Sequence, residues 1–201
     1  MRKMKIDDGY KRNVFLYRLL KPLLVVVVKI LYNPEIIGKE NIPKSDGFLI
    51  ASNHIHAFDP VMIIYSTKRV VHFIAKIELF KGIMKYFYLS FGTIPVDRDK
   101  KNQVAVNLAE EFLTDNEVIG IFPEGTRNKS DEVLLPFRYG AVRMALDSGK
   151  KIVPCALSGN FKLFRSSVKI VYGKAIDVSG MDVDDANNLL RDKVLELLEE
   201  K

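Results

Sequence analysis

Tryptophan is absent from this 201-residue chain, and cysteine occurs once, at Cys155. A lone thiol excludes an internal disulfide framework and any zinc site built from several cysteines, and it makes a reducing compartment the default setting. Histidine is scarce, at His54, His56 and His72. A long uncharged apolar run is also missing. The stretch from Val14 to Tyr32, VFLYRLLKPLLVVVVKILY, is interrupted by Arg18, Lys21 and Lys29, short of the roughly 20 apolar residues that a spanning helix needs. It lies well inside the chain and no small-residue cleavage site follows it, so a cleavable signal peptide is not expected.

The body of the chain lacks net charge. The formal charge is +6, and residues 1–32 hold eight Lys/Arg against Asp7 and Asp8, whereas residues 33–201 hold 23 charges of each sign. A nucleic-acid groove across the body is thereby disfavoured, because counterion-releasing binders concentrate excess Lys/Arg on the body itself. A basic, apolar head suits an anionic membrane surface better. Residues 1–32 read as a membrane-associating amphipathic segment whose Lys and Arg snorkel to the headgroups; the alternative is a helix packed on its own domain and kinked at Pro22.

What is present is 48% apolar residues in alternating short runs and longer helical segments. Gly47–Ser52, Val70–Ala75, Thr93–Val96, Val118–Phe122, Ile152–Leu157 and Val168–Tyr172 read as strands, and Ile77–Ser90, Asn102–Thr114, Phe137–Ser148 and Val183–Glu199 as helices. This pattern predicts an α/β domain over residues 33–201, with a mostly buried mixed sheet flanked by helices.

Three segments carry chemistry-bearing residues at predicted strand ends, where α/β proteins bind ligands. In Ser52-Asn53-His54-Ile55-His56-Ala57-Phe58-Asp59-Pro60, His54 reads as a base and Asp59 as the carboxylate that fixes its tautomer. Two other readings stand beside it: His54, His56 and Asp59 as a metal site, and Asp59 as a plain helix cap. In Gly92-Thr93-Ile94-Pro95-Val96-Asp97-Arg98-Asp99, Arg98 either holds a phosphate or pairs with its acidic neighbours. In Ile121-Phe122-Pro123-Glu124-Gly125-Thr126-Arg127-Asn128, a glycine turn brings backbone donors, Thr126 and Arg127 within reach of an anion, unless it is an ordinary turn.

Taken in order, Asn53-His54-x4-Asp59, Gly92-x5-Arg98 and Phe122-Pro123-Glu124-Gly125-Thr126-Arg127, with Val153-Pro154 on a late strand, resemble the glycerolipid acyltransferase family, above all its lysophosphatidic acid acyltransferases. The resemblance runs from about Ile37 to about Gly173. The chain departs from the family pattern at His56, commonly Ser; at Pro95, often Phe; and at Arg138-Tyr139-Gly140, commonly two bases and a glycine. These departures bear on donor preference and substrate choice and leave the dyad intact.

The resemblance implies transfer of a fatty acyl group from a thioester, carried by acyl-carrier protein or coenzyme A, to the hydroxyl of a lysophospholipid, with no other cofactor and no metal. His54 would deprotonate the hydroxyl, Asp59 would orient it, and Arg98 with Arg127 would bind the substrate phosphate. Glu124 would bond the glycerol or hold its loop, and Gly125 and Thr126 would face the developing oxyanion. It further implies a peripheral or monotopic protein at the cytoplasmic face of the membrane. Cys155 in IVPCAL reads as buried, and YLSFG lacks the leading glycine of a nucleophile elbow, so no acyl-enzyme is expected. His72 reads as structural. Leu79, Phe80, Ile83, Met84, Phe87 and Tyr88 are candidates for an acyl groove or for core, and Lys76, Lys81 and Lys85 for a donor or headgroup contact or a solvated face. The rival functions are a hydrolase delivering the acyl group to water and a non-catalytic lipid-binding scaffold.

Overall fold

The computed structural model describes residues 14–97 and 103–199. The apolar runs become strands β1 (Glu35–Ile37), β2 (Phe48–Ser52), β3 (Val71–Lys76), β4 (Ile94–Val96), β5 (Val118–Ile121), β6 (Ile152–Ser158) and β7 (Lys169–Tyr172). They form a seven-stranded sheet in the order β1-β7-β6-β2-β5-β3-β4. β2 to β6 run parallel, β7 is antiparallel to β6, and β1 runs parallel to β7. The sheet is therefore mixed. Every residue of β2 is buried, as a central strand covered on both faces requires.

Alternate residues of the strands feed two cores. Leu49, Ala51, Ile119 and Ile152 pack under α4 (Gln103–Thr114), α5 (Gly140–Ser148) and α6 (Val183–Glu199). Phe48, Ile50, Val71, Phe73 and Val153 pack on the opposite side, against α1 (Phe15–Leu31) and α2 (Asp59–Ser66). Helices thus sandwich the sheet, and the carboxyl ends of its parallel strands lie along one edge.

Some elements differ from the sequence reading. The single helix read over Ile77–Ser90 is split into a short 3-10 turn at Ile77–Leu79 and α3 (Met84–Ser90), because Gly82 between them takes a left-handed φ of 54° that an α-helix cannot continue through. The helix read from Phe137 begins at Gly140: Phe137 is buried in the core and the Arg138 N–H donates to Pro123 O instead. β1 has only three residues and owes its existence to pairing with β7, which no local pattern announces.

α1 carries Pro22 without ending there. Its inner face presents Tyr17, Lys21, Leu24 and Val28. The Tyr17 hydroxyl, fully buried, accepts the Val71 N–H at 3.2 Å, and burial drives the phenol's pKa up. Lys21 donates to Arg69 O at 2.7 Å, and burial lowers its pKa to about 8, with Lys39 adding to the effect. On the outer face Phe15, Leu19, Leu23, Val26 and Ile30, a stripe at helical spacing, remain 54–73% exposed. Among the described residues no helix is long and apolar enough to cross a membrane.

Candidate active site

One residue past β2, the Asn53 side chain imitates a further rung of the ladder: its Nδ2 donates to Leu157 O at 2.9 Å and its Oδ1 accepts the Leu157 N–H at 2.7 Å. This ties the end of β2 to β6 and fixes the departure of the next residue. The main chain of His54 is then held on both sides by the loop after β5. Its N–H donates to Glu124 Oε1 at 2.6 Å, and its carbonyl accepts the Asn128 N–H at 2.7 Å.

The His54 ring has equally little freedom. Nδ1 lies 2.7 Å from Asp59 Oδ2, and the ring stacks on Phe122 with centroids 4.2 Å apart. Asp59, fully buried, opens α2 ahead of Pro60, and the same Oδ2 accepts the N–H groups of Ile55 and His56, each at 2.7 Å. Asp59 is thus both the orienter of the imidazole and the clamp of its own loop. Its Oδ1 is buried without a hydrogen-bond partner among the described residues, so one oxygen sets the carboxylate's orientation. With Nδ1–H directed at Asp59, Nε2 is the atom available to accept a proton, on a side chain 18% exposed.

Glu124 sits on the neighbouring strand end and is buried. Oε1 takes the His54 N–H and Oε2 the Leu135 N–H at 3.0 Å, so the main chain occupies both oxygens. Burial raises its pKa, outweighing the pull of those two donors and of His54. In this geometry Glu124 joins three segments. Gly125 follows with a φ of 71°, and its N–H closes the turn onto Phe122 O at 2.9 Å. The Arg138 side chain crosses Gly125 so closely that a Cβ there would lie 2.7 Å from Arg138 Nε. Thr126 and Arg127 are exposed at the outer side of this loop. Arg98 lies outside the described residues, which stop at Asp97 just after β4.

The other histidines have different surroundings. His56 stacks on Phe161 at 4.1 Å and on Phe58 at 5.5 Å, while its Nδ1 accepts the Phe58 N–H. His72 is fully buried, with Nδ1 2.9 Å from Gly92 O and its ring edge-on to Phe112. Among the described residues no group of three or more His, Cys, Asp or Glu could hold a metal ion. Cys155 is buried on β6, where burial pushes its thiol up to about 12 against hydrogen bonds with Ser52 and Tyr172.

Sequence reasoning overlooked the work of Asn53, Phe122, Asn128 and Leu135. Asn53 and Phe122 stand inside the quoted strings, but the amide pairing and ring stacking depend on which strands become neighbours. Asn128 and Leu135 contribute main-chain N–H groups, which no residue type reveals. Chemically, an oriented imidazole with one open nitrogen suits deprotonation of a hydroxyl.

A family model described as Acyltransferase matches residues 33–158. The chain is 33% identical over 176 residues to the 1-acyl-sn-glycerol-3-phosphate acyltransferase of Borreliella burgdorferi, covering 81% of this chain and 70% of that one. The Bacillus subtilis enzyme of the same name is 28% identical over 167 residues, with 80% and 82% covered. In structure the chain is similar to the 1-acyl-sn-glycerophosphate acyltransferase PlsC of Thermotoga maritima, with a TM-score of 0.66 over 92% of this chain and 98% of that one. At 20% identity that likeness speaks for the fold.

Proposed function

The chain belongs to the acyltransferase family, and from that premise we propose that it acylates the free hydroxyl of 1-acyl-sn-glycerol-3-phosphate, giving phosphatidic acid. The observation that carries this reading is the His54–Asp59 pair at 2.7 Å with Nε2 open. The printed names of the Borreliella and Bacillus relatives support the choice of acceptor.

In the proposed step His54 Nε2 takes the proton of the acceptor hydroxyl as its oxygen attacks the carbonyl carbon of an acyl thioester. Asp59 stabilises the imidazolium. Collapse of the tetrahedral intermediate breaks the C–S bond, and the proton on His54 passes to the departing sulfur. Acyl-carrier protein or coenzyme A carries the thioester, and no further cofactor is required. Direct attack fits a buried Cys155 whose thiol stays protonated. Arg127 and Arg98 bind the acceptor phosphate, and the Thr126 N–H faces the oxyanion, since the Gly125 N–H already serves the turn. Glu124 acts through its loop rather than on the glycerol.

The exposed stripe of α1 and the basic head hold the protein peripherally on an anionic, cytoplasmic membrane face, where the acceptor resides. A panel of lysophosphatidic acid, glycerol-3-phosphate and lysophosphatidylcholine, each offered with an acyl thioester and read by mass spectrometry, tests the assignment. Acylation of lysophosphatidic acid should dominate; preference for an acceptor without a phosphomonoester would overturn the phosphate-binding role of the arginines.

A further inference from the structure

The loop between β6 and β7 belongs to neither the catalytic strand ends nor α1, yet it touches both. Phe161, near its start, stacks on His56 two residues from the proposed base, and Tyr32 at the end of α1 lies edge-on to the same Phe161 ring at 6.3 Å. Three residues on, the Phe164 N–H donates to Leu31 O at 2.8 Å, which fastens the loop to the carboxyl end of α1.

The tip is a tight turn closed by the Arg165 N–H onto Lys162 O at 3.2 Å. At its corner Leu163 is 54% exposed and Phe164 72% exposed. Phe164 also holds a φ of 60°, a left-handed conformation that bulky residues avoid. The strain is maintained from below. Asn160 accepts the Lys162 N–H, its own N–H and Nδ2 donate to Ser167 Oγ, and Ser166 Oγ donates back to Asn160 O. A braced neck therefore presents two large apolar side chains to the outside.

Charge points to what covers them. Lys162 and Arg165 flank the tip, and neither has an acidic partner among the described residues. From Ser148 to Ile176 the chain carries six Lys/Arg and no Asp or Glu. Apolar side chains between unpaired cations match an anionic lipid surface, and Phe164 lines one hollow with Ile30, the last residue of the exposed stripe of α1.

We propose that the Lys162–Arg165 turn is a second point of membrane insertion, with Leu163 and Phe164 in the acyl layer and Lys162 and Arg165 among anionic headgroups. This rests on the proposed membrane contact of α1 and adds to it. Because Phe161 of the same loop touches His56, insertion of the tip brings the mouth of the site to the bilayer that supplies its acceptor.

The chain has no tryptophan, so Phe164→Trp introduces a single fluorophore. Leu163→Trp serves as a second reporter should the first variant fail to fold, and Leu23→Trp reports on α1. Each full-length variant is mixed with phosphatidylglycerol vesicles, with and without brominated acyl chains. The proposal predicts a blue-shifted, bromine-quenched indole at position 164 or 163, and a fall of about tenfold or more in vesicle partitioning for Leu163→Ser with Phe164→Ser. If the indole at position 23 responds and those at 163 and 164 do not, the turn stays out of the membrane and the inference fails while the α1 reading stands. If none responds, the membrane reading itself falls. A blue shift that grows with protein concentration in the absence of lipid would show that a second copy covers the tip and would equally overturn the proposal.

Discussion

The carboxyl edge of β2 and β5 and the outer face of α1 solve opposite problems. At the edge nearly every polar group near His54 is engaged: its N–H by Glu124, its carbonyl by Asn128, its Nδ1 by Asp59. On α1, by contrast, Leu19, Leu23, Val26 and Ile30 stay 54–64% exposed. The base proposed at the edge has to be held before substrate arrives, whereas the membrane contact proposed for α1 needs only area and charge. Changes at the edge should therefore alter turnover and leave membrane partitioning alone; changes on α1 should do the reverse.

His54→Ala is the hardest test of that separation. It should cut acyl transfer by a factor of about 1,000 or more, since base and proton donor are lost together, while vesicle sedimentation stays unchanged; near-normal turnover would dismiss His54 as the base. Glu124→Gln comes next. A glutamine offers one acceptor where two main-chain N–H groups converge, so kcat should fall about 10- to 100-fold through misplacement of His54. A rise in KM for the acceptor at constant kcat would instead put Glu124 on the glycerol.

Leu19→Ser combined with Leu23→Ser sharpens the other side of the comparison. Partitioning onto phosphatidylglycerol vesicles should drop about tenfold or more, with turnover of a short-chain, monomeric acceptor unaffected. A parallel loss of that turnover would mean that α1 serves the site directly. Cys155→Ala should change turnover by about threefold at most, and loss by orders of magnitude would call for a covalent intermediate.

The smallest effect concerns the inner face of α1. Lys21 titrates near 8 in the fold against 10.5 outside it. As pH falls from 10.5 to 8 the unfolded chain gains a proton that the folded protein does not, so this lysine costs stability progressively across that window and by a constant amount below it. Lys21→Met should flatten this part of the curve. Tm measured for both proteins between pH 7 and 10.5 provides the check, and curves of equal slope would contradict it.

The parts of this design that were legible in the sequence are local ones. His54 and Asp59 are five residues apart, across a strand end and a helix start that apolar run and Pro60 announce, so spacing alone suggests their pairing. Six of the seven strands were legible for the same reason, three-residue β4 among them, while β1 was not, because it exists through its pairing with β7, 134 residues away along the chain at Glu35 and Lys169. Glu124 shows the limit: its residue type left a glycerol contact and a loop-holding role equally open, and what bears on the choice is its partners, the main chains of His54 and Leu135, 70 and 11 residues away. In α1 both faces are apolar, so composition could not tell Tyr17, Leu24 and Val28, which pack inward, from Leu19, Leu23 and Val26, which do not. Contact with α2 and α3 decides it.

The most direct test of the central claim is the release of free thiol from an acyl thioester by the purified protein, followed with and without 1-acyl-sn-glycerol-3-phosphate. Direct transfer from an oriented His54 predicts that thiol and phosphatidic acid appear together, only when the acceptor is present, and with no acylated protein in the mass spectrum. Thiol release at the same rate without acceptor, or an acyl group found on the chain, would contradict it.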